Sequence, residues 1–298
     1  MKALAAPECP EADYIVFGSM EAMADRAARF SLPPPQDRGA RVVDIEPPEP
    51  VVLGQVSAAG GHAAARAVLR AVTEVRVGRL QGIVTAPLQK ESLKAAGYTW
   101  PGHTEMLAEA AGVSDFAMMF VGGALRVALL TIHRSLRSVP DAITGDEVRR
   151  VVRLVHRELP RFGAATRRIA VCGLNPHAGE AGIFGTEDGE VLAPAILALR
   201  GEGIDVHGPL PADTVFVRAA RGDFDAVIAC YHDQGLIPVK LASFGKAVNV
   251  TLGLPFVRTS VDHGTGFDIV EKGIADAGSL IEAMKLAVTL ASVAAPTT

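Results

Sequence analysis

Between residues 230 and 268 the chain sets reactive side chains among short apolar runs and glycines. Tyr231-His232-Asp233-Gln234-Gly235 comes first, then Lys240, Asn249 and Arg258, and finally Asp262-His263-Gly264-Thr265-Gly266. A segment with a purely structural task has little use for so many polar groups at strand ends. Ligands of open α/β sheets bind in the crevice beyond the carboxyl ends of the strands, so this stretch reads as the wall of an active site.

Three histidines share one situation. His133, His177 and His232 each follow the carboxyl end of an apolar strand, in a loop containing Pro, Gly or Asp. Parallel strands of one sheet would gather those loops at one edge, and three imidazoles with an open coordination position make a catalytic metal site. A lone loop histidine is more often an ordinary hydrogen-bonding residue; three in equivalent places point to metal. His62 and His156 lack that context and read as structural. A second set is basic and evenly spaced: Lys240, Asn249 and Arg258 follow one another at intervals of nine residues. A point charge, an amide and a guanidinium fork suit a phosphate or carboxylate substrate. His103 and Thr104, ahead of a helix N-terminus, would add donors to the same anion.

The elements that must position these groups alternate between strand and helix, the α/β signature. Short apolar runs over 14–17, 42–45, 82–85, 169–172, 204–206, 225–230 and 248–252 read as strands. Residues 116–121 and 125–132 read as two adjoining strands turned by Gly122-Gly123, the second delivering His133. Residues 57–76, 90–96, 191–200 and 278–293 read as helices, and 101–105 as a loop opening another to Ala111. Thr144 and Glu147 have capping-box spacing, with Val148, Val151, Val152, Val155 and Leu159 following at helical period. That helix turns Arg149, Arg150, Arg153 and Arg157 outward, as a solvated face.

Composition narrows the class. In 298 residues, 49% hydrophobic and 21% charged, there is core enough for two lobes or one large α/β domain. A net charge of −4 and 5% aromatic residues argue against a nucleic-acid or anionic-membrane partner. Three cysteines without Cys-x-x-Cys spacing suit a reducing cytoplasm, with Cys172 and Cys230 as small buried hydrophobes. No apolar run is long enough for a membrane helix, and no signal-peptide core forms. No Gly-x-Gly-x-x-Gly follows a strand and opens a helix, and neither a phosphate-binding Gly-x-x-x-x-Gly-Lys loop nor a Gly-x-Ser-x-Gly elbow is present. Spacing alone therefore assigns no nicotinamide cofactor.

The order of several motifs is specific. Thr85-Ala86-Pro87 with Lys90, Gly102-His103-Thr104-Glu105, Asn175-Pro176-His177-Ala178-Gly179-Glu180, Pro209-Leu210-Pro211-Ala212-Asp213-Thr214, Tyr231-His232-Asp233-Gln234-Gly235, Asn249-Val250-Thr251-Leu252-Gly253 and Arg258-Thr259-Ser260-Val261-Asp262-His263 together resemble the PdxA family of 4-hydroxythreonine-4-phosphate dehydrogenases. The resemblance runs from about residue 80 to the end. It implies an isocitrate/isopropylmalate-dehydrogenase-like α/β fold of two lobes flanking an active-site cleft. The first lobe would hold 1–102 with 271–298, and the second 103–270 with the metal site and dimer interface. It also implies a homodimer, NAD or NADP, and one divalent ion (Zn, Mg, Co or similar) held by His133, His177 and His232. His103, Thr104, Lys240, Asn249 and Arg258 would then hold a phosphorylated substrate. Such enzymes oxidise the C3 hydroxyl of 4-phosphooxy-L-threonine, and decarboxylation gives 3-amino-2-oxopropyl phosphate on the way to pyridoxal phosphate. Asp213 and Asp233 are candidates for orienting a ligand or taking the proton.

Two departures from the family pattern qualify what the resemblance implies, the first for the nucleotide site and the second for the substrate. The family's opening strand and Gly-rich loop are missing, and Met1-Lys2-Ala3-Leu4 reads like part of the helix that should follow, as if the start lay upstream. His133-Arg134-Ser135-Leu136-Arg137 also differs from the form expected beside the first metal ligand. Related substrates therefore stay open: erythronate or threonate 4-phosphate, or an aromatic cis-dihydrodiol, the last disfavoured by the basic set. From other classes, a three-histidine metallohydrolase needing no nucleotide and a catalytically inactive ligand-binding protein are the alternatives.

Overall fold

The computed structural model describes residues 1–293. They form two compact units, one of Met1–Ser114 with Leu254–Ala291 and one built on Asp115–Gly253. The division thus falls at 114/115 and 253/254, where the sequence reading put it at 102/103 and 270/271.

The first unit begins with α1 (Lys2–Ala5), β1 (Ile15–Gly18), α2 (Met20–Phe30) and β2 (Arg41–Asp44), the two strands pairing in parallel. Ser57 then caps α3 (Ala58–Arg76), its hydroxyl accepting from Gly60 N–H at 3.1 Å. Val68, Ala71, Val72 and Val75 turn one face of α3 into a core shared with Leu93, Met106, Leu107, Leu254 and Phe256. That core packs around β3 (Gly82–Thr85), α4 (Lys90–Ala95) and α5 (His103–Ala111).

The second unit opens with the hairpin of β4 (Ala117–Gly122) and β5 (Leu125–Leu129), followed by α6 (Val139–Ala142) and α7 (Gly145–Glu158). Thr144 caps α7 by accepting from Glu147 N–H at 3.2 Å. The arginine face of α7 is largely ion-paired, Arg150 to Glu147 and Asp115, Arg153 to Glu202, so it is a structural surface. Next come β6 (Ile169–Cys172), α8 (Ala193–Gly201), β7 (Val206–Leu210), α9 (Ala212–Ala220), β8 (Ala226–Ala229), α10 (His232–Ser243) and β9 (Val248–Leu252). Six strands run in the order β9-β4-β5-β8-β6-β7. The last four are parallel, while β4 is antiparallel to both its neighbours. The chain then returns to the first unit with β10 (Val257–Val261), parallel to β3, and α11 (Gly278–Ala291), which packs Ile281 and Met284 against Ala3.

Several expectations are corrected. The strand read at 204–206 lies at Val206–Leu210, because Asp205 and Ile204 complete the turn out of α8. His232 does not lie in a loop; it is the first residue of α10. The strand read at 248–252, which carries Asn249, is found there as β9 and pairs antiparallel with β4. Among the described residues, no helix is long and apolar enough to cross a membrane.

Candidate active site

The three histidine-bearing strands are neighbours. In the order β5-β8-β6 all three run parallel, so their carboxyl ends, and the residues that follow, lie along one edge. His133 follows β5 and His232 follows β8, and their ring centroids are 5.9 Å apart. Asp233 Oδ1 lies 2.7 Å from His232 Nδ1. A carboxylate only accepts, so the proton sits on Nδ1 and the Nε2 lone pair is left to bind a cation. Gly235 lets α10 press on the sheet: a Cβ there would stand 2.8 Å from Leu129 Cδ2 and 2.9 Å from Val127 Cγ1.

His177 follows β6 on an unusual turn. His177, Ala178, Gly179, Glu180 and Ala181 all have positive φ, four of them without the freedom of glycine. Asp188, 1% exposed, fastens this turn. Its carboxylate accepts from Leu174 N–H at 2.8 Å, from Asn175 N–H at 3.1 Å and from Asn175 Nδ2 at 2.9 Å. Gly173 makes room for it, since a Cβ there would lie 2.8 Å from Asp188 Oδ1. The His177 ring lies beside Phe184, with centroids 6.0 Å apart. Among the described residues, no group of three or more His, Cys, Asp or Glu side chains stands close enough together to hold an ion. The structure thus pairs His133 with His232 and puts His177 on the adjoining strand end. Two side-by-side imidazoles are part of a divalent-cation donor set and not the whole of one, since such sites use three or four protein ligands.

The anion-binding candidates divide between the units. In the first, Arg258 on β10 is 2% exposed and donates from Nη2 to Thr85 Oγ1 at 2.8 Å, while Thr85 also hydrogen-bonds Ser260 at 2.9 Å. Burial brings the Arg258 guanidinium down to about 10, opposed by the Glu105 carboxylate. Burial, with the Arg258 charge acting on it, pushes the His103 imidazole down to about 3, so the ring is neutral at physiological pH. Thr104 beside it is buried. In the second unit Lys240 is exposed on α10, and Asn249 lies on β9 with its Oδ1 buried and unpartnered. The even spacing of Lys240, Asn249 and Arg258 therefore reflects no structural repeat, since one is on a helix and two are on separate strands.

Asp213 is exposed in the first turn of α9. Cys172 and Cys230 are buried, and burial pushes both thiols well up, so they are inert apolar groups. Thr85, Gln234 and Thr131 carry site-organising bonds that sequence reading did not single out, although the first two lie inside recognisable runs. Asp188 gave no signal, because Asp-Gly in a loop reads as an ordinary turn.

Comparison with known proteins gives the family. The family model for the pyridoxal phosphate biosynthetic protein PdxA matches residues 11–287. A 4-hydroxythreonine-4-phosphate dehydrogenase from Beijerinckia indica is 52% identical over 238 residues, covering 80% of this chain and 71% of that one. A D-threonate 4-phosphate dehydrogenase from Cupriavidus necator is 51% identical over 246 residues, covering 82% and 74%. The crystal structure of the 4-hydroxythreonine-4-phosphate dehydrogenase from Klebsiella pneumoniae superposes with a TM-score of 0.87 at 38% identity, covering 97% of this chain and 95% of that one. With likeness of this extent in sequence and fold, and the histidine-bearing strand ends side by side, the chain belongs to the PdxA family.

Proposed function

We propose that this protein oxidises the C3 hydroxyl of 4-phosphooxy-L-threonine with NAD or NADP, the β-keto acid then losing carbon dioxide to give 3-amino-2-oxopropyl phosphate for pyridoxal phosphate synthesis. The reading is carried by the buried Arg258 beside a neutral His103, in a chain of this family. Arg258, His103, Thr104, Lys240 and Asn249 are assigned to the substrate and its phosphate. The guanidinium offers a preorganised fork, and a neutral imidazole donates or accepts without adding charge.

His133, His177 and His232 are assigned to one divalent ion, of the zinc, magnesium or cobalt kind. When bound it supplies Lewis acidity at the substrate oxygen, and the nicotinamide accepts the hydride. Asp233 holds His232 in one tautomer. With Asp233 so engaged, Asp213 is the carboxylate assigned to the hydroxyl proton.

A second substrate is favoured by the relatives themselves, since one at 51% identity is named for D-threonate 4-phosphate. Both substrates carry the same terminal phosphate and C3 hydroxyl, and C2, beside the carboxylate, bears nitrogen in one and oxygen in the other.

We also assign a homodimer. Ile237 and Leu241 lie one turn apart on α10 and Phe244 is the left-handed residue that ends it; they are 66%, 75% and 91% exposed, an apolar patch that a second copy would cover. A cytoplasmic location is supported by three free cysteines.

The test is nicotinamide reduction by the purified chain with a divalent metal, comparing 4-phosphohydroxythreonine with D-threonate and D-erythronate 4-phosphates. His177→Ala is assayed beside it. The reading expects turnover of one phosphorylated acid, abolished by His177→Ala. Turnover without nucleotide, or undiminished in the variant, removes it.

A further inference from the structure

In the run Thr85-Ala86-Pro87 with Lys90, Thr85 has a clear task, since its hydroxyl receives Arg258 Nη2 at 2.8 Å. Lys90 is the first residue of α4 and is exposed. The amino end of a helix carries partial positive charge, so a cation there is repelled by its own helix. Glu91, also in the first turn, has the charge that this end favours, and Lys94 in the last turn has the charge favoured at the other end. A cation kept where its helix disfavours it points to a task outside that helix.

The packing shows where the side chain goes. Gly102 stands immediately ahead of α5, and a Cβ there would lie 3.7 Å from Lys90 Cε and 3.6 Å from Glu105 Oε2. The lysine stem therefore crosses the turn that leads into His103 and Thr104, and carries its ammonium to the start of α5. Gly102 has no side chain to cap that helix, so the first-turn N–H groups have no capping oxygen from it. Beyond burial, the charge that acts on Arg258 is Glu105 and the charge that acts on His103 is Arg258, so these three stand together. All of these residues belong to the first unit.

Charge decides what such a place can hold. A phosphate monoester carries about −1.5 to −2 at neutral pH. Arg258 meets it with one positive charge, partly offset by Glu105, while His103 is neutral and Thr104 adds no charge. A second cation is called for on this side of the phosphate, and a flexible point charge complements a fixed guanidinium fork. We infer that Lys90 is a further phosphate-binding residue, its ammonium reaching past Gly102 to the terminal phosphate of the substrate. This rests on the assignment of Arg258, His103 and Thr104 to that phosphate and adds to them a cation from the β3–α4 connection.

The test is a calorimetric titration of the purified full-length chain with inorganic phosphate, beside thermal melts without it. Wild type, Lys90→Met and Lys94→Met are compared. Methionine keeps the length of the stem and removes the charge. Lys94 is exposed on the same helix, so its variant makes the same change of net charge at the opposite helix end from Lys90. Lys90→Met is expected to bind phosphate about tenfold more weakly, the scale of one hydrogen bond to a charged group. Lys94→Met is expected to bind it as wild type does, and both variants to melt at the wild-type temperature. A lysine that merely balances Glu105 would lower the melting temperature and leave phosphate affinity as in wild type. That result, or equal weakening in the two variants, overturns the inference while leaving the Arg258 site in place. Wild-type protein that takes up no phosphate overturns the assignment of Arg258, His103 and Thr104, and that of Lys90 with it.

Discussion

The Asp233 carboxylate sits 2.7 Å from His232 Nδ1, so a residue's own neighbour in sequence decides which of its ring nitrogens keeps a lone pair. The Asp233 side chain is 74% exposed, and the pair contributes little to folding. Asp233→Ala should therefore weaken divalent-metal affinity by about tenfold or more while leaving the unfolding temperature nearly unchanged. Metal titration by calorimetry, beside a thermal melt, checks both halves.

Arg258 is held in a buried slot by Thr85, and lysine there loses both the fork and the reach. For Arg258→Lys, KM for the phosphorylated substrate should rise by about ten- to a hundredfold, the equivalent of one charge-assisted hydrogen bond of roughly 1.5–3 kcal/mol. Steady-state kinetics at saturating nucleotide measure it, and an unchanged KM would remove Arg258 from the anion site.

His103 titrates near 3 in the folded chain and near its ordinary 6.5 when unfolded. Between those values the unfolded chain binds the extra proton, so this group's contribution is intact above the unfolded value and is lost as pH falls through the window. His103→Gln should flatten the fall of unfolding temperature from neutral pH toward pH ~4. Parallel melts of wild type and variant across that range decide it, and identical slopes would mean the ring is not held neutral.

Asp188 satisfies two backbone N–H groups and the Asn175 amide from a fully buried place. Asp188→Ala leaves those donors unpaired, and ~2–4 kcal/mol of stability should be lost. Asp188→Asn should fare little better, because its NH2 would oppose donors whichever way it turns. Chemical denaturation supplies the number.

The patch of Ile237, Leu241 and Phe244 predicts association. Each side chain, once covered, contributes about 1.5–3 kcal/mol, so Leu241→Glu with Phe244→Glu should give monomers. Sedimentation of wild type and variant at equal concentration distinguishes the two states.

Much of the framework was legible in the sequence because local signals agreed with the fold. Ser57 and Thr144 mark the starts of α3 and α7, and glycines mark the β4–β5 turn. The chemistry-bearing helix α10 was not legible, and the reason is physical. Leu236 and Val239 are buried while Ile237, Leu241 and Phe244 are exposed, so no polar face reveals the helical period, and Gly235 and Pro238 read as breakers. Strand β10 hid because Arg258, Thr259 and Ser260 are polar residues satisfied inside the core by partners distant in sequence, such as Thr85 and the Ala283 carbonyl. The three histidines were singled out because each follows a strand end, a local signature, but the order β5-β8-β6 that makes their strands neighbours is set only by long-range pairing.

That order turns the pitch of the sheet into a ruler. Adjacent strands lie ~4.8 Å apart, with the His232 strand in the middle and one imidazole donor springing from each flank. On the proposed three-histidine assignment, a rigid ladder cannot stretch to suit a larger or smaller ion, so discrimination by ionic radius would belong to the short connecting segments after the strands. Sequence variation that retunes metal preference should then concentrate in residues 130–133 and 173–177, and leave the strands themselves untouched.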